Sequence, residues 1–157
     1  MSAQLKPQVT VQAEHYSAAL FDEFKPLVEH HWREIANYQA KIPLDPSPQV
    51  YEKAALAGNL LILTARWGDE LVGYAVFFLM HHPHYASSLF AQNDVIYVAP
   101  EHRRGSVGVR LIRLSEKYLR ALSVKRISWH AKLTNDFQTL LERLGYQVEE
   151  VILGKLL

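Results

Sequence analysis

The sequence predicts an α/β domain built on a mixed sheet with helices on both faces, in the order β-α-α-β-β-β-α-β-α-β. Three observations carry that prediction. Helical periodicity lies towards both ends of the chain, while residues 60–98 read as hairpin-joined strands. A strand-like run at 90–98 passes through a tight loop, Val98-Ala-Pro-Glu-His-Arg-Arg-Gly-Ser-Val-Gly108, into a helical pattern at 107–122. The chain has 157 residues, enough for a single core, so 1–157 is read as one domain.

The elements follow in order. Val9, Thr10 and Val11 make a short edge-strand candidate. Leu20, Phe24, Leu27, Val28, His31 and Ile35 recur at helical spacing and predict one buried stripe. Pro26 falls within it and predicts a break, a kink or the first turn of a second helix. Residues 41–48 hold three prolines and predict a loop. A short helix at 50–57 should stop at Gly58 and Asn59. Strands at 60–66 and 71–80 should join through Gly68 and Asp69. Residues 81–85 read as a loop, followed by the 90–98 strand and the 107–122 helix. A strand at 124–130, a helix at 135–144 ended by Gly145, and a last strand at 148–153 complete the order. The chain has no repeat and no linker.

Composition removes several function classes. A net charge of +1 disfavours nucleic acid or another bulk polyanion as partner. The absence of cysteine excludes disulfides, thiolate metal sites and an acyl-cysteine intermediate. No run approaches the roughly 18 apolar residues of a membrane span. The first seven residues lack a signal-peptide core. A cytoplasmic protein that does not enter membranes is the expectation. His81, His82 and His84 resemble a metal cluster, but one short loop with Pro83 and no added carboxylate does not close a zinc site, so no metal is expected.

The 98–108 loop carries the chemistry. A strand–loop–helix turn gathers backbone N–H groups at a helix N-terminus that bears a partial positive charge. Arg103 and Arg104 add cations that can fork onto phosphate. The loop is not G-x-x-x-x-G-K-[ST] and not G-x-G-x-x-G, so neither a P-loop nor a dinucleotide fingerprint applies. The plainer alternative is an ordinary helix start capped by Ser106, with both arginines solvated.

Val98-x-Pro100 followed by Arg103-x-x-Ser106-x-Gly108 resembles the pyrophosphate loop of the GNAT superfamily of acetyl-CoA-dependent N-acetyltransferases. Ser106 stands where that pattern has its middle glycine. Asn135 with Leu140-Leu-Glu-Arg-Leu-Gly-Tyr146 is similar to the family's later segment, and residues 103–113 are similar to phage-encoded members. The resemblance covers nearly the whole chain and implies the GNAT acyl-CoA N-acyltransferase fold. It implies acetyl-CoA held by Val98, Arg103, Arg104, Gly105, Ser106, Val107, Gly108 and Asn135. The acceptor would be an amine on a small molecule, peptide or protein; a homodimer stays open.

The family places a carboxylate on the strand before the loop, which falls on Asp94. An aspartate in an apolar strand, its pKa raised by burial, would suit a base acting directly or through water. Its alternative is a strand-end aspartate paired with an arginine. Backbone N–H groups near Val98 would stabilise the oxyanion if the strand splays from its neighbour. The family's tyrosine acid falls at Leu141. Solvent protonation, substitution by Tyr97 or His130, and loss of catalysis then remain. The last would leave an inert CoA-binding sensor or interaction module. Trp32, Tyr38 and residues 42–48 would form the far wall of the acceptor cleft. Arg110, Arg113, Lys117 and Arg120 make a basic stripe, most simply a solvated face, whose first turn could reach the 3′-phosphate.

Overall fold

The computed structural model describes residues 8–157; the stretch 1–7, read above for a signal sequence, lies outside the described residues. The order is β1 (Val9–Glu14), α1 (Ala18–Ile35), α2 (Pro48–Leu56), β2 (Leu60–Trp67), β3 (Glu70–His82), β4 (Tyr85–Val98), α3 (Val107–Ala121), β5 (Arg126–Ser128) and α4 (Phe137–Arg143). A single 3-10 turn, Pro100–His102, precedes α3. The strands form one sheet in sequence order. β1 to β4 are antiparallel neighbours, and β5 runs parallel to β4. The mixed sheet and its two helical layers match the expected fold class.

Alternation along the strands divides the core in two. Val72, Ala75, Phe77 and Leu79 of β3 join Leu63, Ala65 and Ala91 beneath Val107, Leu111 and Leu119 of α3. Leu71, Tyr74 and Val76 face the other way, with Ile62 and Tyr97, against Leu20 and Phe24 of α1. Fully burying each of the Val, Leu, Ile and Phe side chains among them contributes roughly 1.5–3 kcal/mol before its entropy cost. Arg66 binds Glu14 at 2.6 Å and Glu23 at 2.8 Å, which ties β1, β2 and α1 together.

Helix α1 begins at Ser17, whose Oγ accepts the Leu20 N–H at 3.0 Å. It does not end at Pro26, which sits inside it. The proline removes one helical hydrogen bond. Pro26 is exposed, while Leu20 and Phe24 are buried, so the freed carbonyl lies where water can reach it.

Three expectations need correction. The 81–85 segment is mostly strand, with only Pro83 and His84 turning between β3 and β4. The 124–130 strand shortens to the three residues of β5. The strand at 148–153 does not form, so the predicted order loses its final β. Val151, Ile152 and Leu153 are all largely exposed. Apolar alternation makes a strand only where a neighbour supplies a ladder and a face to bury. This segment is instead held beside β5 through side chains, Arg126 pairing with Glu149 and Glu150.

The shortness of β5 positions the site. Its ladder with β4 joins Phe90 to Arg126, Ala91 to Ile127 and Gln92 to Ser128, and then stops. β4 continues against β3 as far as the Gly73–Val98 pair. Gly73 is required there, because a Cβ would lie 2.8 Å from the Tyr97 carbonyl oxygen. From residue 93 onward β4 therefore has one strand neighbour and one open edge.

Candidate active site

At that point β4 also changes register. Val76 pairs with Val95 and Phe77 with Asn93, leaving Asp94 as the extra residue of a bulge. A bulge interrupts the ladder, and the Asn93 side chain repairs it. Its Nδ2 donates to the carbonyls of Val76 (3.1 Å) and Val95 (3.0 Å), and the residue is 1% exposed. The Asp94 side chain is met by α2: the Tyr51 hydroxyl donates to Asp94 Oδ2 at 2.7 Å. Burial, then the charge of Asp94, pushes the Tyr51 phenol up, so it remains a donor at neutral pH.

Asp94 opens onto a cavity of about 270 Å³ lined by Phe78, Met80, Gln92, Asn93 and His130. His130 follows β5, and its Nε2 lies 3.1 Å from Gln92 Nε2. The structure thus brings Asp94 and His130 to one cavity across the strand gap. Trp32 and Tyr38 are not among its lining residues.

Tyr97 is placed differently. It is buried, and its hydroxyl donates to Glu34 Oε1 at 3.1 Å. Burial and that hydrogen bond push its phenol up. Glu34, near the end of α1, also accepts both Arg103 contacts, at 2.8 and 2.9 Å. The Arg103 guanidinium lies 5.1 Å over the Tyr97 ring, and its Nε donates to the Val98 carbonyl at 2.7 Å. His31 stacks on the other part of this group, 4.9 Å from the Tyr97 ring, with Nδ1 3.3 Å from the Tyr74 hydroxyl. Burial, aided by Arg103 and Lys132 and opposed by Glu34, holds His31 down at about 4. Arg103, expected on phosphate, here bridges α1 to the end of β4.

The loop into α3 is open. Gly105 has φ +129°, a conformation that side chains disfavour. Ser106 is the N-cap residue but makes no side-chain capping bond, and the first N–H groups of a helix have no intrahelical partner. A Cβ on Gly108 would meet nothing within 4 Å. Arg104 is exposed, and Val107 is buried. The Ala99 N–H bonds the Val72 carbonyl at 2.8 Å, towards β3. Alternation then turns the Val98 N–H and carbonyl to the open edge, and the carbonyl is the one Arg103 takes.

Asn135 Oδ1 accepts the Phe137 N–H at 3.1 Å, two residues on, while the N-cap position of α4 falls on Asp136. Leu141 is buried at 6% exposure in α4. Of the basic stripe, Arg110 donates to the Val9 carbonyl at 2.8 Å and Arg113 pairs with Glu116 at 2.9 Å. His82 Nδ1 accepts the His84 N–H at 3.1 Å, and no group of three or more side chains among the described residues is set to hold a metal.

Sequence reasoning missed Tyr51, Asn93, Glu34 and His31 as parts of this region. Glu34 and His31 had a signal, since they stand three apart near the end of one helix. Tyr51 had none: only the bulge brings Asp94 to it.

The model of the Acetyltransferase (GNAT) family matches residues 20–146. Solved structures share the fold. An aminoglycoside acetyltransferase, meta-AAC0020, from an uncultured soil metagenomic sample superposes with TM-score 0.72 at 14% identity, covering 95% of each chain. A ribosomal-protein-alanine N-acetyltransferase from Brucella melitensis biovar Abortus 2308 gives 0.69 at 19% identity, over 94% of this chain and 99% of its own. AAC(6')-Iy, in complex with the bisubstrate analogue CoA-S-monomethyl-acetylneamine, gives 0.64 at 19% identity, over 94% and 97%. No curated protein matches the chain by sequence. No helix among the described residues is long and apolar enough to cross a membrane.

Proposed function

Because the chain belongs to the GNAT acetyltransferase family, we propose that it transfers an acetyl group from acetyl-CoA directly to an amine. The observation that carries this reading is the parting of β4 from β5 after the Gln92–Ser128 pair, with Asp94 on a bulge at the cavity beside the gap. The residues fit the cofactor. The uncapped start of α3 offers the N–H groups of Val107 and Gly108 to an anion. Gly105 and Ser106 shape the turn, Arg104 is free to add charge, and the Asn135 amide nitrogen is available beside α4. Acetyl-CoA, when bound, supplies the acyl group as a reactive thioester.

Each remaining step belongs to the chain's own side chains. Asp94 takes the proton from the incoming amine, directly or through one water, and Tyr51 fixes the orientation of its carboxylate. The Val98 N–H, turned to the open edge, stabilises negative charge developing on the acyl oxygen. His130 shares the Asp94 cavity and is the better placed of the two candidates for donating a proton to the thiolate as the C–S bond breaks. Tyr97 is the weaker one, since its hydroxyl is committed to Glu34. We assign Tyr97, with Glu34, to holding Arg103 against the Val98 carbonyl.

The test is release of free CoA thiol in the presence of an amine panel. The chain has no cysteine, so a thiol reagent reads CoA alone. Amine-dependent release by the wild type that Asp94→Asn loses supports the reading. Tight acetyl-CoA binding with no amine-dependent release by either protein would overturn it in favour of a non-catalytic binder.

A further inference from the structure

The face of the sheet that α1 and α2 cover does not end where they do. Helix α1 packs over Tyr74 and Val76, and α2 reaches Phe78 through the Tyr51 ring, whose centroid lies 5.5 Å away. Beyond Phe78 no helix among the described residues covers the same face. Register places Met80 opposite Phe90 and His82 opposite Tyr85. The rings agree: His82 to Tyr85 is 5.2 Å, His82 to Phe90 is 5.8 Å, and Tyr85 to Phe90 is 5.9 Å. Met80 is 43% exposed and Tyr85 58%. Phe78 and Met80, at the inner end of this shelf, are also walls of the cavity that holds Asp94.

Along β3 the shelf therefore runs into the proposed site of proton removal, with Gln92 beside Phe78 on the β4 side. Its charge is as informative as its apolarity. Asp94 is the one carboxylate lining the cavity, and Tyr51 already occupies one of its oxygens. Near the outer end Arg126 lies 5.8 Å from the Phe90 ring and pairs with Glu149 and Glu150. A polycation would bring several ammonium groups to a cavity whose lining offers a single carboxylate to pair with them. An amine with one charged end and an apolar body has a partner for each part.

Resting on the acetyl-transfer reading above, we infer that the acceptor is a monoamine carried on an aromatic or aliphatic body. That body lies on the shelf of Phe78, Met80, His82, Tyr85 and Phe90, and its amine reaches Asp94. Met80 and Tyr85 are specificity-determining residues in this assignment. The choice separates this chain from the aminoglycoside acetyltransferases whose fold it shares.

The experiment has two arms. In the first, KM is measured for phenylethylamine, ethanolamine, spermidine and kanamycin. Phenylethylamine should have a KM at least about tenfold below the others, the scale on which apolar pockets discriminate. Met80→Asp, at an exposed position, should raise that KM by roughly tenfold and favour spermidine over phenylethylamine. Preference for spermidine or kanamycin by the wild type would overturn the inference while leaving acetyl transfer intact. The second arm needs no turnover: calorimetric binding of N-acetyl-phenylethylamine to wild type and Met80→Asp. Weaker binding by the variant supports the shelf even if no amine is acetylated, and equal binding, or none to either protein, overturns it. Unchanged melting of Met80→Asp confirms that the comparison reads the shelf and not the fold.

Discussion

Asp94 is one residue out of register, and most of the proposed chemistry follows from that. Without the bulge its side chain would fall on the other face, because a one-residue slip inverts a strand. Asn93 stabilises the slip by bonding two carbonyls that the bulge frees. Asp94→Asn keeps the shape and the Tyr51 contact but removes the basicity. Turnover should fall by roughly a hundredfold or more, with acetyl-CoA binding unchanged by calorimetry. Tyr51→Phe removes one hydrogen bond worth about 0.5–1.5 kcal/mol, so turnover should fall roughly two- to tenfold at constant acetyl-CoA affinity. His31 makes a prediction about stability. In the folded chain it stays neutral down to about 4, whereas the unfolded chain takes up that proton near the ordinary 6.5. The unfolded state then binds more protons in that window, so acidification from pH 6.5 to 4 lowers stability, by at most about 3 kcal/mol. Above pH 6.5 the effect is absent. His31→Phe should flatten this part of the stability curve in urea titrations. A loss that persists unchanged in the variant would place the sensitive group elsewhere. Glu14 acts separately and lower, since Arg66 holds its carboxyl down at about 2, so its contribution is lost as pH falls from 4.5 through 2.

At the scale of elements, α4 tests the missing tyrosine. Leu141 is buried, so Leu141→Tyr must fit extra atoms into a packed site at a cost of roughly 1–3 kcal/mol. A gain in turnover, if proton transfer to the thiol limits the rate, should stay below about tenfold. A larger gain would mean that His130 contributes little. Elements were the best-read level of the sequence. The strand, loop and helix from β4 to α3 were legible because each has a local cause: β-branched and aromatic residues, a proline turn, and 3.6-residue periodicity. The failures share another cause. Pro26 reads as a stop, yet a packed stripe with an exposed proline carries α1 through it. Residues 148–153 read as a strand, yet pairing depends on a neighbour that local pattern does not reveal. Asp94, His130 and the 103–108 loop were singled out through the family resemblance, and the structure brings Asp94 and His130 to one cavity. Their partners Tyr51, Glu34 and Asn93 were not, because each meets its target through register or tertiary contact.

The whole molecule joins these pieces around one gap, and ligand binding should therefore stabilise the fold as a unit. The loop, the open edge of β4 and the start of α4 reach one another only when the sheet is formed, so acetyl-CoA should bind the folded state alone. At about a hundred times its dissociation constant that linkage adds roughly 2.7 kcal/mol. For a domain of this size each kcal/mol is worth about 2–4 °C, so Tm should rise by roughly 5–10 °C. ATP and NAD share phosphate with acetyl-CoA but lack the thioester arm that would enter the gap between β4 and β5, and should shift Tm far less. Gly108→Glu supplies the control. Its Cβ would meet open space, so the variant should melt like the wild type without ligand. Its carboxylate would stand at the start of α3, where an anion is to sit, so the acetyl-CoA shift should vanish. Equal stabilisation by ATP and acetyl-CoA would reduce the site to a phosphate loop and remove the gap from the binding account. A full acetyl-CoA shift in Gly108→Glu would move the cofactor away from α3 altogether.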